Sequence, residues 1–185
     1  MSNCHVTLGG KWLELLSEIA PELKRVAIMF NPDLLASIYI PSFETAARSL
    51  KVEPIIAPIH SAEIETAIIA LGREPGGGLV FLPDAFVIAH RSSIISAAAR
   101  NNVPAVYSQP YFVRDGGLLS YGVDLVENYR RAATYVDRIL RGATPAELPV
   151  QGPTKFELVI NLKTAKALGL TVPLIMQMTA DDVIE

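Results

Sequence analysis

The chain has 185 residues, half of them hydrophobic and 19% charged, with a formal net charge of −3 at pH 7. That length can bury a real core as one domain, or one plus an appendage, and the composition excludes intrinsic disorder. The acidic balance, with no basic stripe, excludes the footprint of a nucleic-acid binder, no apolar run approaches the roughly 20 residues of a membrane span, and a single cysteine allows no internal disulfide.

Residues 1–10 read as a disordered N-terminus in which Cys4 is an incidental thiol rather than a nucleophile or metal ligand. They carry neither a basic n-region nor a continuous apolar h-region, so they are not a secretory signal. A helix over 11–20 sets Trp12, Leu13, Leu15, Leu16 and Ile19 on a wide apolar face that must pack on something. Residues 25–33 follow, an apolar run ending abruptly in Asn31-Pro32-Asp33. They read as a strand buried on both faces that delivers a polar loop at its carboxyl end. Ligands gather outside such ends in open parallel sheets, so the Asn31 loop is the first candidate site.

The same unit recurs. A helix over 38–50 leads to a strand over 52–57, then a helix over 62–71 with Ser61 as N-cap and Glu63 in its first turn. A strand over 78–82, closed by Pro83-Asp84, precedes a helix over 87–100. The strand over 103–107 closes in Ser108-Gln109-Pro110. After a loop ending in Asp115-Gly116-Gly117, residues 118–122 form a fifth strand. This alternation predicts an α/β fold, a doubly wound, mainly parallel sheet flanked by helices, with residues 11–123 as the ligand-binding lobe.

From Asp124 the rhythm changes. Asp124 is a good N-cap for a long helix over 125–140, with basic residues in its last turn and Gly142 as its stop. Residues 143–153 contain three prolines and read as an extended connector. A strand over 156–161 and a short helix over 162–168 come next. The tail over 172–185 has no clear period.

The candidate site residues each have two readings. Asn31 and Asp33 either cap the next helix and form a turn or contact ligand. Asp84 can hold a ligand ammonium or cap a helix. Phe86 stacks on a ligand or covers the core. Tyr107, Ser108 and Gln109 end a strand in succession; since side chains alternate, Tyr107 and Gln109 share a side and Ser108 faces away. Tyr121 and Gly122 end the fifth strand, and the glycine permits either a close backbone approach or a bend.

An enzyme is the rival class. Asp84, His90 and Ser108 supply a carboxylate, an imidazole and a hydroxyl, but His90 falls inside a predicted helix and Ser108 lacks a Gly-x-Ser-x-Gly elbow. Gly76-Gly77-Gly78 precedes a strand and is a turn, not a phosphate cradle. His5, His60 and His90 are too scattered for a metal site. No catalytic residue, metal or cofactor is therefore assigned.

The order of Lys11-Trp12-Leu13-Glu14-Leu15-Leu16, residues 25–32, residues 77–84, Pro104-Ala105-Val106-Tyr107, residues 116–122 and residues 156–170 resembles the later half of an ABC transporter substrate-binding protein with a type I periplasmic-binding fold. The resemblance covers nearly the whole chain from Lys11. It implies two α/β lobes joined by crossover strands, with a small organic solute, in some members an aromatic amino acid, trapped between them and passed to a permease. It places the Asn31 loop in the cleft and the protein in the periplasm; without a signal peptide, and with Met1 as the true start, the location is cytoplasmic. Residues 124–185 would then return to a first lobe that this chain lacks. Helices 11–20 and 125–140 should lose part of their covering, which predicts a homodimer, exchange of C-terminal segments being one form of it. A cytoplasmic small-molecule sensor of the same bilobal fold is the other binding alternative, although no output segment is present.

Overall fold

The computed structural model describes residues 7–32, 38–58 and 63–185. Asp33, Ser61, Cys4, His5 and His60 lie outside the described residues. Strands β1 (Arg25–Phe30), β2 (Glu53–Pro58), β3 (Gly77–Phe81), β4 (Ala105–Tyr107), β5 (Leu119–Val123), β6 (Phe156–Asn161) and β7 (Asp182–Ile184) form one sheet in the order β2-β1-β3-β4-β5-β6-β7. β1 through β5 run parallel, β6 is antiparallel to β5, and β7 is parallel to β6. This is the predicted doubly wound α/β fold.

Alternation along β1 explains the two cores. Val26 and Ile28 point to one face, Ala27 and Met29 to the other, and all four are completely buried. The first face is covered by α1 (Leu8–Ile19), α2 (Ile40–Leu50), α8 (Leu162–Ala167) and α9 (Leu174–Thr179), which bring Trp12, Leu13, Leu16, Phe43, Ala165 and Met176 to it. The second is covered by α3 (Ile64–Gly72), α4 (Ala85–Ala89), α5 (Arg91–Arg100) and α6 (Pro110–Arg114), with Ile68, Val87, Ile94 and Phe112 against Phe81 and Tyr107.

Several elements depart from expectation. α1 starts at Leu8, and Leu8, Gly9 and Gly10 are buried, so residues 8–10 are ordered helix. Glycine in a helix costs up to about 1 kcal/mol relative to alanine. Here it is required, because a Cβ on Gly9 would collide with the carbonyl of Tyr39, the N-cap of α2. The apolar face of α1 is also fully covered, with Leu13 and Leu16 at 0% exposure, against the expected loss of covering there.

The predicted helix over 87–100 starts early and breaks at His90 into α4 and α5. The His90 backbone N–H donates to the Phe86 carbonyl at 3.1 Å, and its Nδ1 reaches the same oxygen at 2.9 Å. The expected loop after Gln109 contains α6, with Pro110 at its first position, where the missing N–H costs nothing. The unassigned tail forms α9 and the edge strand β7, pinned by Asp181, which accepts from the Leu158 N–H at 2.8 Å.

α7 (Leu125–Leu140) matches its prediction: Asp124 Oδ1 accepts the Glu127 N–H at 3.0 Å, and Gly142 leaves the helix at φ 101°. None of its residues is buried. The connector lies along it, held by Tyr135 Oη donating to the Pro149 carbonyl at 2.7 Å and by the Arg131 guanidinium donating to Thr154 Oγ1 at 2.8 Å. Residues 156–184 complete the sheet and its first face, so the part that stands off the core is residues 124–155, bounded by crossings where the Asp124 N–H donates to the Lys155 carbonyl at 3.1 Å.

Candidate functional site

The chain leaves β1 toward β2 on one side and reaches β3 on the other, so the crevice between the carboxyl ends of β1 and β3 is the topological switch point where α/β sheets hold ligands. Asn31 and Asp84 both stand there. Asp84 is 4% exposed, and its carboxylate is in use: Oδ2 accepts the Asn31 N–H at 2.9 Å and Oδ1 accepts the Phe86 N–H at 2.7 Å. It is thus the N-cap of α4 and a clasp between two strand-end loops. The helix cap that the sequence allowed is formed. Phe86, half-buried, lies tilted against His90 with ring centroids 4.4 Å apart and packs on the second core.

Tyr107 does not join them. It is 1% exposed, stacked on Phe81 at 5.5 Å and on Phe112 at 4.8 Å, and burial pushes its phenol well above the ordinary tyrosine value. Ser108 is buried too. Its carbonyl sits where a Cβ on Gly122 would have to go, so the glycine serves a backbone approach within the sheet.

Gln109 lies elsewhere, on a pocket of about 440 Å³ shared with Tyr111, Arg114, Asp124, Lys155, Glu157 and Asp181. Tyr121 faces the first core, stacked on Phe156 at 5.7 Å, while its carbonyl accepts Trp12 Nε1–H at 2.6 Å. The predicted residues therefore divide into a switch-point group of Asn31, Asp84 and Phe86, a pocket containing Gln109, core or framework positions at Tyr107 and Ser108, and half-buried Tyr121, which packs on the first core and lines a further pocket of about 750 Å³ with Phe156.

The pocket holds charges of both signs. Lys155 Nζ donates to Asp124 Oδ2 at 2.9 Å; the Glu127 N–H and then Lys155 hold the Asp124 carboxyl below its ordinary value, and Asp124 in turn raises that of Lys155. Glu157 behaves oppositely: burial pushes it up, against the Arg114 guanidinium 3.7 Å away, and the carboxylates of Asp124, Asp181 and Asp182 add to the rise. Beside it, the Arg91 guanidinium sits 5.2 Å from the centroid of the Tyr111 ring and pairs with Asp115 at 2.5 Å. Tyr111, Arg91 and Glu157 escaped the sequence reading; Pro110 as a helix-start signal would have placed Tyr111 in the first turn of α6.

Asp84 is spent on backbone donors, and His90 turns its ring nitrogen to the Phe86 carbonyl, so the carboxylate–imidazole–hydroxyl reading does not assemble. Among the described residues no group of three or more His, Cys, Asp or Glu side chains is arranged to hold a metal, and no helix is long and apolar enough to cross a membrane.

A tyrosine-binding protein of Clostridioides difficile (strain R20291) is 26% identical over 163 residues, which is 86% of this chain and 47% of that protein. The chain thus spans about half the length of this curated relative. A conserved domain protein from Vibrio cholerae O1 biovar El Tor matches with a TM-score of 0.84 and 26% identity, over 96% of this chain and 60% of that one. A Streptococcus pneumonia domain crystallised with L-Trp has the same fold, with a TM-score of 0.85 at 21% identity, over 95% of this chain and 60% of its own. The family model described as "ABC transporter substrate binding protein" matches residues 6–184, and the chain belongs to that family of substrate-binding proteins, not enzymes.

Proposed function

We propose that this chain is a solute-binding lobe of an ABC transporter receptor. It captures a small organic solute, an amino acid, for delivery to a permease from the periplasm, with no bond made or broken. The observation that carries the reading is the switch-point crevice, where Asp84 fixes the loop after β1 to the loop after β3. Family membership and the names of a tyrosine-binding relative and an L-Trp complex support it. A cleft needs two walls, so one lobe alone binds weakly, and affinity rises when a second surface closes over the ligand. A homodimer belongs to this reading, because α7 leaves apolar side chains in water.

A thermal-shift panel of amino acids, small peptides, sugars and purines at millimolar concentration tests it. An upward shift with one or more amino acids, reduced in an Asn31→Ala chain that melts normally without ligand, is the expected result. A flat response to the whole panel overturns it.

A further inference from the structure

At the amino ends of β1, β3 and β4, the end of the sheet opposite the switch point, the loops that lead into these strands close with the end of α8 around a cavity of about 430 Å³. Its body is apolar. Leu71 and Val103 bring the second core to its wall, and Leu23, Leu168 and Leu170 bring side chains packed on the first. Glycine makes the closure possible: a Cβ on Gly72 would meet the Asn101 carbonyl, and one on Gly76, at φ 88°, the Glu22 carbonyl. The crossings at Asp124 and Lys155 leave from the other end of the sheet, where Val123 pairs with Phe156. The cavity thus needs no second lobe to form.

Its charge has one prevailing sign. The C-caps of α1, α3, α5 and α8, which are Ala20, Arg73, Asn101 and Leu168, all line it. Helices in this fold run opposite to their strands, so the carbonyl ends of four of them, each with a partial negative charge, converge here. α3 is the most open of the four, since the Arg73 N–H returns no hydrogen bond to its last turn among the described residues. On the rim, Glu74 is taken by Arg25 at 2.6 Å, but the Glu22 carboxylate has neither an ion pair nor a hydrogen bond among the described residues. Arg73 is the one cation among the lining side chains, and it stands at the end of α3, where a positive charge answers the carbonyls of its own helix. A second cation is what the mouth lacks.

We propose that this cavity is a second binding site, for a primary organic amine whose apolar body lies between the two cores and whose ammonium meets Glu22 and the helix ends. Its volume is that of sites for small organic molecules. The site is separate from the switch-point crevice, so it stands or falls apart from the receptor reading.

Amide chemical shifts of the isotope-labelled 185-residue chain, titrated to millimolar concentration with 3-phenylpropylamine and separately with 3-phenylpropionate, test it. The amine should give saturable shifts at Leu23, Leu71, Val103 and Leu170, and the carboxylate should not. Glu22→Gln, a change at an exposed position, should leave Tm unaltered and weaken the amine by roughly two- to fivefold, the scale of one exposed ion pair. Glu22→Lys should weaken it further. An absence of saturable shifts at those residues overturns the proposal, as does equal binding of the carboxylate or an affinity untouched by Glu22→Lys. Shifts confined to Asn31 and Phe86 overturn it too, and leave the receptor reading standing.

Discussion

The Asp84 carboxylate accepts the Asn31 backbone N–H across the switch point at 2.9 Å, while its other oxygen accepts from Phe86 at 2.7 Å. One side chain therefore sets both the start of α4 and the spacing of the two loops that a ligand would meet. Asp84→Ala strands two N–H groups, one of them a helix cap, and should cost roughly 2–3 kcal/mol of stability in urea unfolding. Asp84→Asn keeps one acceptor oxygen and should lose less. An Asp84→Ala chain as stable as the parent would mean that the clasp does not order the crevice.

Gly122 and Ser108 make a second, purely steric clasp. A methyl group at position 122 meets the Ser108 carbonyl, which belongs to a buried strand end that cannot retreat. Gly122→Ala should therefore destabilise by about 1–3 kcal/mol, the usual range for overpacking, read as a lowered urea midpoint with an unchanged slope.

What was legible in the sequence is what is decided locally. The run from Arg25 to Phe30 declared a doubly buried strand because both of its faces are apolar, and Asp124 with Gly142 marked both ends of α7. The fate of Tyr107 was not legible. Alternation fixes which neighbours share its side, but only the arrival of Phe81 and Phe112 from other elements turns that side into core. The covering of α1 depends likewise on Gly9 letting α2 come close, and β7 is a three-residue strand with no periodicity to read. Around the candidate site, the sequence located the carboxyl ends of β3 and β4 to within one residue. It could not tell that Asp84 spends its carboxylate on backbone donors, since Asn31 is far away in the chain.

Ser120 Oγ is buried and has no hydrogen-bond partner among the described residues. An unsatisfied buried hydroxyl is a net cost, so Ser120→Ala should leave stability unchanged or raise it by up to about 1 kcal/mol. A clear loss in the urea midpoint would mean that the hydroxyl is bonded in solution.

Two carboxylates of one pocket should answer pH in opposite senses. Asp124 is held low by the Glu127 N–H and by Lys155. Its contribution is present above the ordinary aspartate value and disappears as pH falls through its lower folded value. Asp124→Asn should therefore lower Tm at neutral pH, with a difference that closes in strong acid. Glu157 is held high, first by burial. Its folded form keeps the proton longer, so its contribution is full below the ordinary glutamate value and is lost as pH rises through the folded one. Glu157→Gln should consequently raise Tm at neutral pH, with a gain that fades as pH falls below the ordinary glutamate value. Melting curves of the two variants against the parent, taken at intervals from acid to neutral pH, read both trends. A Glu157→Gln gain independent of pH would assign the effect to packing instead of charge, and a loss at neutral pH would mean that the Arg114 pair outweighs the burial of the carboxylate.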